Sequence, residues 1–221
     1  MHLPPPSQAQ VWIDFDGTIT QQDLLDELIQ RHAIDDSWKQ IERLWEAGEI
    51  GSRQCLQRQL ALVRATDAEL AALLAQIDLD PGLFPLLGLL DRFQIPRAIL
   101  SDGIDSFIHQ LLARHDVHIP VRSNSIKRSG DDISLICPLQ SPDCDSAAAH
   151  CKCSSITALG GAGRKSIYIG DGRSDLCPAR KVEVVFAKGA LAQTLRGEGR
   201  RFLPFTTLND VKRILEQRWA T

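Results

Sequence analysis

The stretch Val11-Trp12-Ile13-Asp14-Phe15-Asp16-Gly17-Thr18 runs from three apolar residues into two carboxylates spaced two apart, followed by glycine and threonine. On an extended chain that spacing puts Asp14 and Asp16 on one face, and Gly-Thr then turns the chain. The segment reads as a buried strand, Gln10 to Asp14, that delivers two acids to its C-terminal edge. In an open α/β sheet this edge is where ligands bind, so one Asp can act as nucleophile and its neighbour as proton donor or metal-site member. Taken alone, the pentapeptide reads equally well as a strand end with a polar turn, because Asp, Gly and Thr are ordinary turn residues.

Two other apolar runs end the same way. Ile95–Leu100 leads into Ser101-Asp102-Gly103, and Ser166–Gly170 leads into Asp171-Gly172-Arg173-Ser174-Asp175. If the three strands are parallel neighbours, their ends gather Asp14, Asp16, Ser101, Asp171 and Asp175 in one crevice. Carboxylates crowded in this way raise one another's pKa, and a hard divalent cation held by oxygen ligands relieves the repulsion. Mg²⁺ is the expected ion.

Between these runs the period changes. Leu24, Leu25, Leu28 and Ile29, then Trp38, Ile41, Leu44 and Trp45, then Leu56, Leu60 and Val63, then Leu70, Leu73, Leu74 and Ile77 recur at helical spacing, which predicts four successive helices up to the breaker Asp80-Pro81-Gly82. Beyond it the pattern predicts helices over 83–93 and 105–114, strands over 119–125, 132–136 and 182–187, and a last amphipathic helix over 208–218. Strands alternating with helices imply a parallel sheet covered on both faces. The block 22–80 interrupts that alternation and reads as a cap inserted into a core made of 1–21 and 81–221.

The 221 residues, 43% hydrophobic, suffice for a large domain or a core with an insertion. With 25 basic against 28 acidic residues and no basic block, nucleic acid is not a favoured partner. Residues 1–10 hold three prolines and no apolar core of signal-peptide length, and no run approaches the roughly 18 apolar residues that span a bilayer. A cytoplasmic enzyme without membrane contact is expected.

With these motifs the chain resembles the haloacid dehalogenase superfamily of phosphohydrolases over nearly its whole length. The resemblance implies a Rossmann-like α/β core with a helical cap, Mg²⁺ as cofactor and a small phosphorylated metabolite as substrate. It makes Asp14 the nucleophile that becomes an aspartyl-phosphate and Asp16 the general acid/base. Ser101 would hold a phosphoryl oxygen with the N–H groups of Asp102 and Gly103, and Asp171 would bind the metal with Asp14 and the Asp16 carbonyl. Asp175 would pair with the lysine that neutralises the intermediate. Lys152, 19 residues before Asp171 at the start of an apparent helix, fits that role better than Lys165, which precedes Asp171 by six.

A cap directly after the first motif is similar to the group of phosphoserine phosphatases, phosphocholine and phosphoethanolamine phosphatases, and the methionine-salvage phosphatase acting on 2-hydroxy-3-keto-5-methylthiopentenyl-1-phosphate. Gly48-Glu49-Ile50-Gly51-Ser52-Arg53-Gln54, Gly170 to Cys177, and Val185-Phe186-Ala187-Lys188 resemble the last of these. Asp23 stands where phosphoserine phosphatases place a substrate-contacting acid, and it serves equally as a first-turn helix acid. Gln59 stands where they carry an arginine for the serine carboxylate, with Arg53 and Arg58 as substitutes nearby. A phosphotransferase using the same intermediate and a non-catalytic metabolite-binding protein are the alternative functions.

Cys137, Cys144, Cys151 and Cys153 lie around Lys152, with His150 among them. A structural Zn²⁺ site, a disulfide and unlinked loop thiols are all compatible with that spacing. Cys55 and Cys177 read as small buried hydrophobes, and His109, His115 and His118 as surface or packing residues. Trp38 and Trp45 belong to the cap core or to an interface, leaving monomer and homodimer both open.

Overall fold

A computed structural model of the chain describes residues 2–130 and 132–219. In chain order the elements are β1 (Ala9–Ile13), α1 (Leu24–His32), α2 (Ser37–Glu46), α3 (Ser52–Leu60), α4 (Asp67–Gln76), α5 (Leu83–Arg92), β2 (Arg97–Ile104), α6 (Asp105–Ala113) and β3 (Val121–Ser129). They continue with β4 (Asp132–Ile136), α7 (Lys152–Leu159), β5 (Lys165–Gly170), α8 (Leu176–Lys181), β6 (Val184–Ala187), α9 (Gly189–Gly197), β7 (Leu203–Pro204) and α10 (Leu208–Trp219). The chain forms two compact units: Met1–Gln21 with Asp78–Leu100 and Lys152–Thr221, and Gln22–Ile77 with Ser101–Cys151.

The first unit is an α/β layer with strand order β2-β1-β5-β6-β7, each adjacent pair parallel. All five β1 residues are buried, as a strand covered on both faces requires. Its register sets Ile13 opposite Ile99 on one side and Ile169 on the other, so β1 and β5 run out together at the edge where Asp14 and Asp171 follow. Trp12, Ala98, Leu100 and Tyr168 form one core cluster. Burying side chains of this size contributes about 1.5–3 kcal/mol each. Asp80, from the expected breaker, accepts from the N–H groups of Gly82 (2.8 Å) and Leu208 (3.2 Å), joining the starts of α5 and α10.

The second unit contains α1–α4, α6 and the antiparallel hairpin β3–β4. The four helices bury the positions the periodicity selects, among them Leu24, Leu28, Ile41, Leu60, Leu70 and Leu73. Thr66 and Glu69 close a capping box at α4. Trp38 and Trp45 are half-buried.

Several bounds differ from the sequence reading. β3 runs on to Ser129 because its polar end pairs with β4, where buried Ile133 and Leu135 alternate with exposed neighbours. The sequence pattern does not predict α8, α9 or β7. α8 is six residues long and β7 only two, too short for a hydrophobic period to show. Among the described residues no helix is long and apolar enough to cross a membrane.

Candidate active site

Asp14 leaves β1 with its N–H donating to the Ile169 carbonyl at 2.9 Å, so the strand pairing itself sets its position. Just beyond, the Phe15 carbonyl accepts from the N–H groups of Thr18 (3.2 Å), Ile19 (2.8 Å) and Thr20 (3.0 Å), which folds the Asp16-Gly17 turn tightly around it. Gly17 has φ +68°, and a Cβ there would sit 2.5 Å from Asp171 Oδ2, so two independent constraints demand glycine. Thr18 Oγ1 donates to Asp171 Oδ1 at 2.8 Å. The first motif thereby grips the third strand end.

Lys152 opens α7 and is 2% exposed. Its Nζ donates to Asp14 Oδ1 at 2.5 Å, Asp175 Oδ1 at 2.6 Å and Ser174 Oγ at 3.3 Å. Lys165, at the exposed start of β5, is not part of this group. Asp175 is wholly buried and fully engaged. Besides Lys152 it accepts from the Tyr168 hydroxyl at 2.6 Å and from the N–H groups of Asp171 (2.9 Å) and Gly172 (3.0 Å). A Cβ on Gly170 would come within 2.3 Å of Asp175 Oδ2, so glycine before the motif lets that carboxylate fold back.

Among the described residues, Asp14, Asp171 and Asp175 form the one group of at least three acidic, cysteine or histidine side chains whose ligand atoms converge, lying within 4.8 Å of one another. Asp175 is occupied by its four donors, which leaves Asp14 and Asp171 as the side chains to hold a cation. Burial first, then the charges of Asp175 and Asp171, hold the Asp14 carboxyl well above its ordinary range despite the pull of Lys152. Lys152 pairs with Asp14 and Asp175 while the charge of Lys188 acts on Asp171, so three carboxylates face two lysines and negative charge remains uncompensated. This hard-oxygen, charge-deficient pocket fits Mg²⁺.

Asp171 is pushed up to about 6 by burial and by Asp175, with the Thr18 hydrogen bond pulling the other way. The folded chain therefore keeps a proton that the unfolded chain releases near 3.8. With fewer protons on the unfolded state in that window, this group makes stability fall as pH rises from about 4 to about 6, and adds no slope above it. Thermal melts in EDTA at pH 4.5–7 should show the Asp171→Asn protein gaining on wild type across the window. Parallel profiles would refute the shift.

Asp16 is half-buried in the turn after β1. Ser101, 0% exposed, belongs to the second unit, and its Oγ accepts from the Gly103 N–H at 2.8 Å, so that N–H serves the serine itself. Asp102 is a local hub: its carboxylate accepts from Ser52 Oγ (2.8 Å) and the His150 N–H (2.8 Å), and its carbonyl from Asn124 Nδ2 (2.7 Å). His150, 1% exposed, sets its ring Nδ1 3.0 Å from the Ser101 carbonyl. Asp23 caps α1 by accepting from the Asp26 N–H at 3.0 Å. Gln59 is 2% exposed and points into the helical core, donating to Glu42 Oε2 at 2.8 Å and to the Trp38 carbonyl.

Of the alternatives open for the cysteines, the structure shows thiols without disulfide links. No three of Cys137, Cys144, Cys151 and Cys153 converge with one another or with His150 among the described residues, so nothing supports a zinc site. Cys153 lies against Cys177, 2.9 Å between sulfurs, and Cys177 is only half-buried rather than a core residue. Neither Tyr168 nor Ser52 has an assigned role in the sequence analysis. Tyr168 did leave a signal, because the chain's one tyrosine sits in the aliphatic run Ser166–Gly170, where a buried hydroxyl must find a partner.

The parallel sheet thus gathers three carboxylates and a buried lysine at its C-terminal edge. The family model described as haloacid dehalogenase-like hydrolase matches residues 11–180, and the chain belongs to that family. Within it the chain is a phosphatase. Similar chains include 2-hydroxy-3-keto-5-methylthiopentenyl-1-phosphate phosphatases from Brevibacillus brevis, 26% identical over 94% of this chain and 95% of that one, and from Lysinibacillus sphaericus, 26% identical over 96% and 95%. A haloacid dehalogenase family hydrolase from Salmonella enterica serovar Typhi matches with TM-score 0.73 and 18% identity, over 95% of this chain and 70% of that one. A substrate-bound phosphoserine phosphatase matches with TM-score 0.70 and 14% identity, over 95% and 98%. At these identities the two structures speak for the fold alone.

Proposed function

We propose that the protein is a Mg²⁺-dependent phosphomonoesterase of a small metabolite, working through an aspartyl-phosphate on Asp14. The observation that carries this reading is Lys152 Nζ held between Asp14 and Asp175 at 2.5 and 2.6 Å, beside Asp171. An Asp14 oxygen attacks phosphorus as the ester P–O bond breaks, and Asp16 gives its proton to the departing oxygen. Water then attacks the acyl phosphate, Asp16 takes the water's proton, and inorganic phosphate leaves with Asp14 restored. Lys152 offsets the charge on the phosphorylated Asp14. Asp14, Asp171 and the Asp16 carbonyl would hold Mg²⁺, which supplies positive charge to the phosphoryl oxygens. The family pattern gives Ser101 to a phosphoryl oxygen and the cap role to the helices of 22–80.

For the substrate we favour 2-hydroxy-3-keto-5-methylthiopentenyl-1-phosphate, the compound in the names of the relatives above. Gln59 supports this over phosphoserine. It is neutral, buried and committed to Glu42, so it offers no charge to a substrate carboxylate. The test is phosphate release from phosphoserine, phosphocholine, the methionine-salvage enediol phosphate and an aryl phosphate, with Mg²⁺ and with EDTA. The expected result is release without an added acceptor, fastest for the enediol phosphate and lost in EDTA. Release only on adding an acceptor would make the protein a phosphotransferase. No release with any compound would point to a binding protein.

A further inference from the structure

The six cysteines differ sharply in setting. Cys55 is 2% exposed, donates to Gln59 and Glu42, and has its thiol pushed up to about 12 by burial and the Glu42 charge, which makes it inert. Burial also raises Cys137. Cys144 is different: burial raises it, but hydrogen bonds from Ser146, the Ala148 and Ser146 backbone and Cys151 lower it overall. Cys153 and Cys177 are both half-buried, and their sulfurs are 2.9 Å apart. That is inside the ordinary contact distance of two sulfurs and within about 1 Å of the ~2.05 Å disulfide bond. Cys153 follows Lys152 in α7, while Cys177 lies in α8 two residues past Asp175.

We propose that Cys153 and Cys177 form a reversible dithiol, an oxidative modification site that joins α7 to α8 directly behind the Lys152–Asp175 ion pair. With a peroxide as oxidant, one thiolate attacks a peroxide oxygen, the O–O bond breaks, and a sulfenic acid and hydroxide form. The second thiol attacks that sulfur, the S–O bond breaks, and the hydroxyl leaves as water. The balance is two thiols and one peroxide to one disulfide and two waters, with the sulfurs oxidised and the peroxide reduced. A dithiol reductant reverses it by exchange. Neither cysteine takes part in the phosphatase reading, so the inference stands apart from it.

The test uses the full chain, fully reduced, then titrated with hydrogen peroxide at pH 7.5, quenched by alkylation, digested and mapped by mass spectrometry. The Cys153–Cys177 linked peptide should appear several-fold faster than any other cysteine link and disappear on adding dithiothreitol. Cys177→Ser and Cys153→Ser should each abolish that link, with circular dichroism confirming that at least one of them folds. A Cys144–Cys151 link forming first would overturn the proposal. So would alkylation of both Cys153 and Cys177 after excess peroxide, or their conversion to sulfinic acids without a link.

Discussion

Asp14→Asn should lower the rate of phosphate release from an aryl phosphate by about 10⁴-fold or more, while leaving the far-UV circular dichroism unchanged. The size follows from the chemistry, since an amide oxygen cannot form the acyl phosphate through which the reaction divides into two steps. The fold should survive because Asn keeps the volume and the oxygen that accepts from Lys152 Nζ, and because the Asp14 N–H to Ile169 bond is made by the backbone. Lys152 also keeps Asp175 as a second anion at 2.6 Å, so it is not left as an unpaired buried charge. Asp16→Asn should differ in kind: the nucleophile remains, so a substrate with a good leaving group should still yield a burst of product while turnover falls. Turnover by Asp14→Asn within tenfold of wild type would remove Asp14 from the role of nucleophile.

What could be read from the chain before folding was the part written in local chemistry. The apolar runs into Asp14, Ser101 and Asp171 announce buried strands and their ends, and Gly17 announces backbone that must turn. Lys152 was legible only through its distance from Asp171 and its place at a helix start, because nothing local says that a lysine will be buried. The tertiary partners were hidden for the same reason. Thr18 on Asp171, Tyr168 on Asp175 and Cys153 against Cys177 join residues from different elements, and no period in the sequence encodes those meetings. Gln59 shows the converse case. Its position in a family pattern suggested a substrate contact, whereas its 2% exposure and its bond to Glu42 are those of a core residue. The cysteines are close in sequence, but among the described residues no three of them bring their sulfurs together.

The largest stability effect is expected at Asp175. Its carboxylate, 0% exposed, accepts from a lysine, a tyrosine hydroxyl and two backbone N–H groups, so every donor around it was placed for a negative acceptor. Asp175→Ala strands those donors and removes one of the two anions that pair with a lysine whose side chain is 1% exposed. Breaking a buried pair from one side costs about 3–5 kcal/mol, and that loss should appear as a lowered urea midpoint. Asp175→Asn should recover little, because its NH₂ would face a donor wherever it is turned. Lys152→Met makes the complementary test, leaving Asp14, Asp171 and Asp175 to repel one another without their cation. The double variant Lys152→Met/Asp175→Ala should lose clearly less than the sum of the two single losses, since the second change removes a charge that the first has already stranded. Additive losses, or a single loss below about 1 kcal/mol, would mean that Asp175 supports only its own turn. Non-additive losses would show that one buried ion pair holds the start of α7 against the loop after β5, and so sets where Lys152 stands relative to Asp14.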